Sequence, residues 1–229
     1  MAGSMREISS NGGTVPAYAS VPASGSGPGV VVIQEWWGLV DHIKDVTDRF
    51  AGEGFVALAP DLYHGETTTE PDEAGRLLME MRIDQAAKDM AGAVDALLAM
   101  PEATGDAVGV VGFCAGGGLA LYLAMRKPEV AAAVSYYGFP PQGAEWNLSA
   151  VKAAVLGHYA EHDDFANREL ADRIEGELRD AGVRVTFHHY PGTQHAFFND
   201  TRPEAHDREA AELSWRRTID FFRETLGGS

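Results

Sequence analysis

Short, nearly uninterrupted apolar runs recur along this chain, and they restrict its fold more than any other feature. Val30-Val31-Val32-Ile33 and Phe55-Val56-Ala57-Leu58-Ala59 are the clearest, with others at residues 107–111, 130–136 and 152–157 and a last strand at 183–190. They are too short for helices and lack the alternation of a half-exposed strand, so they read as strands buried on both faces. Between them lie segments of helical spacing: Ile43, Val46 and Phe50 within residues 41–53, and Leu170, Ile174 and Leu178 within residues 166–181. Residues 71–100 are predicted as a long helical region with a break near Arg82-Ile83-Asp84, and residues 204–226 as a terminal amphipathic helix. Regular alternation of buried strands and helices predicts an α/β fold, with a mostly parallel central sheet and helices on both faces. An N-terminal strand at residues 14–19 precedes that pattern. At 229 residues the chain fits one large domain or two small ones. No repeat, low-complexity tract or linker marks a boundary, so residues 1–229 are read as a single domain, with residues 1–5 outside the folded unit.

In sheets of this kind, sites form beyond the C-terminal ends of the strands. Glu35, Cys114, Asp163 and His195 each follow closely on a predicted strand. Cys114 is the only cysteine, and it stands in Gly112-Phe113-Cys114-Ala115-Gly116-Gly117-Gly118, a strand, a tight turn and a helix start. Gly112-x-Cys114-x-Gly116 is the nucleophile-elbow pattern with sulfur in place of the usual serine oxygen.

Taken singly, these residues have plainer explanations: a buried cysteine is commonly inert packing, a strand-end aspartate a helix cap, a loop histidine a surface residue. Together they form a set. A thiol needs a base or a favourable field to react as thiolate. His195 is the candidate base and Asp163 the candidate orienter of its ring. The helix after the elbow directs its positive end at the sulfur, and the Ala115 amide can donate to an oxyanion, with the Trp36 amide as second donor. Glu35, in Gln34-Glu35-Trp36-Trp37-Gly38, is costly to bury charged without a partner. It reads either as a salt-bridge or capping carboxylate, or as the acceptor of a hydrogen bond from the Cys114 thiol that keeps the sulfur protonated at rest.

Composition removes several function classes. A net charge of −16 disfavours a nucleic-acid partner and slows encounter with anionic substrates. No apolar run reaches the roughly 18–20 residues of a membrane helix, and a lone cysteine permits no internal disulfide, which fits a reducing cytoplasm. No metal or other cofactor is expected. His188 and His189 lie within a strand and point to opposite faces, and His158, His162, Asp163 and Asp164 make at most a weak cluster. No interface is legible, which leaves monomer and homodimer both open.

The motifs Gln34-Glu35-Trp36-Trp37-Gly38, Ala59-Pro60-Asp61-Leu62-Tyr63, Gly112-Phe113-Cys114-Ala115-Gly116-Gly117, Tyr136-Tyr137-Gly138 and His195-Ala196-Phe197 resemble the dienelactone hydrolase (carboxymethylenebutenolidase) family. The resemblance runs over residues 29–222. It implies an α/β-hydrolase fold without a large lid domain, a catalytic Cys114, Asp163 and His195, a thiol-gating Glu35, and a backbone oxyanion hole at Trp36 and Ala115. The family's spacing favours Asp163 over Asp164. Trp37, Tyr137 and Phe197 would line the substrate pocket. The family holds a compact dienelactone's carboxylate with two arginines. Arg82 is a match for one, but Asn199 stands where the other would be, and the tryptophans suggest a bulkier or more apolar acyl or lactone group. The expected activity is cytoplasmic hydrolysis of a small ester or lactone through a thioester. The rival readings are a thiol acyltransferase and a non-catalytic binding protein on the same fold.

Overall fold

The computed structural model describes residues 3–10, 12–140 and 147–227. In chain order the elements are β1 (Ser4–Ser10), β2 (Gly13–Ser20), β3 (Gly27–Ile33), α1 (Asp41–Gly52), β4 (Val56–Pro60), α2 (Pro71–Glu80), α3 (Ile83–Ala99), β5 (Ala103–Phe113), α4 (Ala115–Ala124), β6 (Val130–Tyr136), β7 (Ala154–His162), α5 (Arg168–Asp180), β8 (Val185–Gln194) and α6 (Arg208–Leu226). The strands form one sheet in the order β1-β2-β4-β3-β5-β6-β7-β8. β1 pairs antiparallel with β2, and β2 antiparallel with β4; every later pairing is parallel. This is the α/β-hydrolase fold, with the expected parallel core. Ser4 and Met5 pair with Ala19 and Tyr18, which corrects the placing of residues 1–5 outside the fold; Met1 and Ala2 lie outside the described residues.

The apolar runs became central strands because helices cover both faces. Successive residues of a strand point to opposite faces. A side chain at Gly109 would strike the Phe222 ring of α6, whereas Val108 and Leu97 of α3 meet at Gly29. α1 shares the face of α6 through Phe50, whose ring lies 5.9 Å from Phe222 and 4.6 Å from Trp215. Phe222 is fully buried and also packs on Phe55 at 6.0 Å. Phe222→Ala is expected to cost about 3–5 kcal/mol, because a rigid aromatic cluster cannot collapse into the vacated space. Urea unfolding checks this as a lower midpoint at unchanged slope.

Element limits differ from the sequence expectation where pairing outlasts polarity. β7 continues through His158-Tyr159-Ala160-Glu161-His162, five residues past the apolar run, because β8 stays paired beside it as far as the match of His162 with Gln194. The expected break in residues 71–100 is present, with Met81 and Arg82 extended between α2 and α3. α5 and α6 start later than expected, at the caps Asn167 and Asp207, whose side chains accept the Leu170 and Ala210 amides.

After β3 the chain crosses to β4 on one side, and later returns to β5 on the other. The ends of β3 and β5 therefore flank a topological switch point, where the connections leave in opposite directions and open a crevice.

Candidate active site

β5 delivers Cys114 to that crevice. The Cys114 amide donates to the Tyr136 carbonyl at 3.0 Å, continuing the ladder for one residue, and the backbone then turns through φ 54°, ψ −121° into α4. A non-glycine residue in such a conformation is strained by roughly 1–3 kcal/mol and persists only where its surroundings impose it. Two glycines permit the turn. A Cβ at Gly112 would stand 1.9 Å from the Gly116 carbonyl oxygen, and one at Gly116 would stand 2.3 Å from that of Gln34. The second contact matters more for the site, since it packs the start of α4 on the end of β3 and so brings Cys114 to the Glu35–Trp36 loop. Ala115 opens α4, and its amide has no acceptor within the helix.

β7 and β8 end together and supply the next pair. His195 Nδ1 and Asp163 Oδ2 are 2.7 Å apart. Asp163 is buried, and its Oδ1 accepts the Phe165 and Ala166 amides, each at 2.8 Å. Asp164 is exposed, so the residue facing His195 is Asp163. With Nδ1 engaged, Nε2 is the nitrogen left to exchange a proton with Cys114. Burial pulls the His195 pKa down, but the Asp163 hydrogen bond and the adjacent Cys114 outweigh it and push the value up to about 10. A folded-state pKa above the ordinary 6.5 means that the bound proton stabilises the fold. That contribution is complete below pH 6.5 and is lost as pH rises through about 10. The melting-temperature gap between wild type and His195→Gln is therefore expected to narrow from pH 7 to pH 10.5, measured by thermal denaturation across that range.

The loop after β3 supplies Glu35 and the tryptophans. The Gly38 amide reaches back to the Glu35 carbonyl at 3.5 Å, setting Trp36 and Trp37 at the corner of a turn with their rings 4.9 Å apart. The loop after β4 braces it: Thr68 donates to the Trp37 carbonyl, and the Leu62 amide to Gln34 Oε1. Asp61 shapes that second loop by accepting the Tyr63 and Gly65 amides. Arg202 lies over the Trp37 ring at 5.5 Å.

Glu35 is 2% exposed. Its Oε2 accepts Asn199 Nδ2 at 2.7 Å, and its Oε1 is buried without a hydrogen-bond partner. The expected hydrogen bond from the Cys114 thiol to Glu35 is thus not formed, because one oxygen is taken by Asn199 and the other is left unpaired. Tyr137, at φ 40°, sets its ring 5.1 Å from that of His195. Its hydroxyl is buried without a partner, and burial followed by the charges of Glu35 and Cys114 holds its pKa well above the usual range.

The rest of the expected pocket is redistributed. Phe197 is fully buried between Tyr137 and Tyr190, so it backs the site instead of lining it. Asn199 is 1% exposed and faces Glu35, not a substrate carboxylate. Arg82 is exposed and lines a cavity of about 250 Å³ together with Leu62, Tyr63, His64, Met81 and Gln85. Tyr63 links that cavity to Cys114: burial first, then the nearby Cys114, raises its pKa. Tyr63 and Phe165 were not assigned roles from sequence. Phe165 is 80% exposed with its ring 5.5 Å from that of His195. Both follow a strand-end aspartate by two residues, which was the available signal. His158 is buried, its ring nitrogens on Tyr190 and Thr218. His188 stacks on His158 while His189 faces Asp172 of α5.

Comparison with known proteins agrees with this architecture. A model of the Dienelactone hydrolase family matches residues 15–226. The chain is 39% identical to "Protein usf" of Aquifex pyrophilus, over 98% of this chain and 99% of that one. It is 36% identical to "Putative carboxymethylenebutenolidase" of Aquifex aeolicus, with the same coverage. A solved structure, "Putative Dienelactone Hydrolase from Klebsiella pneumoniae subsp. pneumoniae MGH 78578", superimposes with a TM-score of 0.87 at 28% identity, covering 97% of this chain and 98% of its own.

Proposed function

Because this chain belongs to the dienelactone hydrolase family, we propose that it hydrolyses a small lactone or carboxylic ester through a thioester on Cys114. The observation that carries the reading is the Asp163–His195 pair at 2.7 Å, beside a cysteine held in a strained turn at the N-terminus of α4. In the first half-reaction the sulfur attacks the carbonyl carbon as the thiolate, with the proton held on His195 Nε2. The oxyanion is received by the Ala115 and Trp36 amides. The tetrahedral adduct collapses with loss of the alkoxide, which takes the proton from His195. In the second half-reaction His195 accepts a proton from water, the hydroxide adds to the thioester, and the thiolate leaves with that proton still held on His195. Asp163 keeps the ring aligned in both. With a lactone the leaving oxygen stays tethered, and the product is a hydroxy acid.

The pocket favours a neutral, bulky or apolar acyl group. Asn199 is committed to Glu35, so Arg82 has no second cation in that place for clamping a carboxylate. The Trp36–Trp37 pair supplies an apolar wall, and the net charge of −16 opposes anionic ligands. The test pairs p-nitrophenyl acetate with a panel of neutral and anionic lactones. Burst release of nitrophenol, an acetyl adduct on Cys114 in intact-mass spectra and faster turnover of the neutral lactones are expected. Steady hydrolysis with no adduct on Cys114 in rapid-quench spectra would overturn the thioester route.

A further inference from the structure

Among the buried groups the mechanism leaves unexplained, Asn199 is the most completely specified. Its Nδ2 donates to Glu35 Oε2 at 2.7 Å. Its Oδ1 accepts twice from Thr201, from the backbone amide at 3.0 Å and from the hydroxyl at 2.6 Å. Both Thr201 contacts fix the orientation of the amide. Flipped, it would set its NH2 against the Thr201 N–H and would present an oxygen to a carboxylate, so one face must donate and the other accept. The segment is anchored on each side. The Asn199 amide donates to the Ala196 carbonyl one turn after His195, and the next residue, Asp200, pairs with Arg49 and lies 3.4 Å from His42 of α1.

We propose that Asn199 is a positioning residue for Glu35: supported by Thr201, it captures Oε2 and leaves Oε1 as the oxygen turned to Tyr137 and the nucleophile pocket. A buried carboxylate with one neutral donor keeps its place and an unused lone pair. The groups around Glu35 come from three elements. Cys114 at the start of α4 and Tyr137 after β6 flank one another beside it, and His42 of α1 feels its charge together with that of Asp200 and Arg49. Asn199 makes the one hydrogen bond of full geometry with the carboxylate, and the Tyr137 hydroxyl is the other donor set beside it.

The inference rests on Glu35 neighbouring a reactive Cys114, so its test does not depend on hydrolysis. Cys114 is the only cysteine, and its alkylation by iodoacetamide can be followed by intact mass from pH 5 to pH 10. The step that disappears in Glu35→Gln is the one governed by the carboxylate. In Asn199→Asp, two carboxylates face each other and share a proton, so that step is expected to move up by about one to three pH units. Asn199→Ala should move it in the same direction by less, and Thr201→Val by less again, since that variant keeps the backbone donor. The Asn199→Asp shift should vanish in the Glu35→Gln background. Unmoved steps in folded Asn199→Asp and Thr201→Val, or a shift that survives Glu35→Gln, would overturn the proposal. If Asn199→Asp does not fold, Thr201→Val decides the matter by the same readout. Shifted steps in a protein that hydrolyses none of the panel would leave this inference standing and the hydrolase reading rejected.

Discussion

Cys114→Ala is expected to remove the burst and to lower steady ester hydrolysis by roughly 10⁴–10⁶-fold, the loss typical of deleting the nucleophile of a unit that works together. Alanine keeps the Cβ, so it remains in the strained turn at φ 54°, ψ −121°. Its stability should therefore match wild type, and lost activity cannot be put down to misfolding. Cys114→Gly separates the two effects. Glycine adopts this conformation without strain, and the strain removed, about 1–3 kcal/mol, exceeds or matches the roughly 0.5–1 kcal/mol of added chain entropy. The glycine variant should be as inactive as the alanine variant yet at least as stable as wild type. Paired measurements of p-nitrophenyl acetate turnover and urea midpoint test both halves. A glycine variant clearly less stable than the alanine variant would mean that the elbow is not strained.

The second large effect falls on the orienting carboxylate. Asp163→Asn preserves shape but offers an NH2 or a neutral oxygen to His195 Nδ1, so the ring loses the partner that fixes its tautomer and favours its protonated form. A fall of roughly 10⁴-fold in kcat is expected, with little change in KM. Asp163 also accepts the Phe165 and Ala166 amides through Oδ1. Asparagine can keep those bonds only by turning its oxygen to them, which points its NH2 at Nδ1 and selects the wrong tautomer. Asp164→Asn, at an exposed position, should leave kcat within about twofold. Steady-state kinetics on both variants decide the assignment; equal losses would place the orienting role elsewhere.

The local signals in this chain were strong where local chemistry decides the outcome. Val30-Val31-Val32-Ile33 had to become an interior strand, because no helix is that short and no surface strand that apolar. Gly112 and Gly116 marked the elbow, because no other residue type permits backbone contacts that close. Asp163 and Asp164 were separable only through the family's spacing, since each is an acidic residue past the same strand. Burial distinguishes them: the longer pairing of β7 with β8 turns one inward and leaves the other in solvent. Tyr63 was visible as part of a motif but not as a neighbour of Cys114, because that neighbourhood spans three strands of the sheet.

By itself the sequence determined the parallel core, the turn at Cys114 and the placing of Cys114, Asp163 and His195 past three strand ends. Each of these follows from side-chain volume, backbone freedom or residue type over a few neighbouring positions. Only the tertiary structure decided what surrounds Glu35. Asn199 is separated from it by 164 positions, and nothing local distinguishes an asparagine that faces substrate from one that faces a buried carboxylate. That distinction depends on which groups the fold removes from water together. Here it withdraws Asn199 from the pocket, leaves Oε1 of Glu35 unpaired, and sets both Glu35 and Cys114 beside Tyr137.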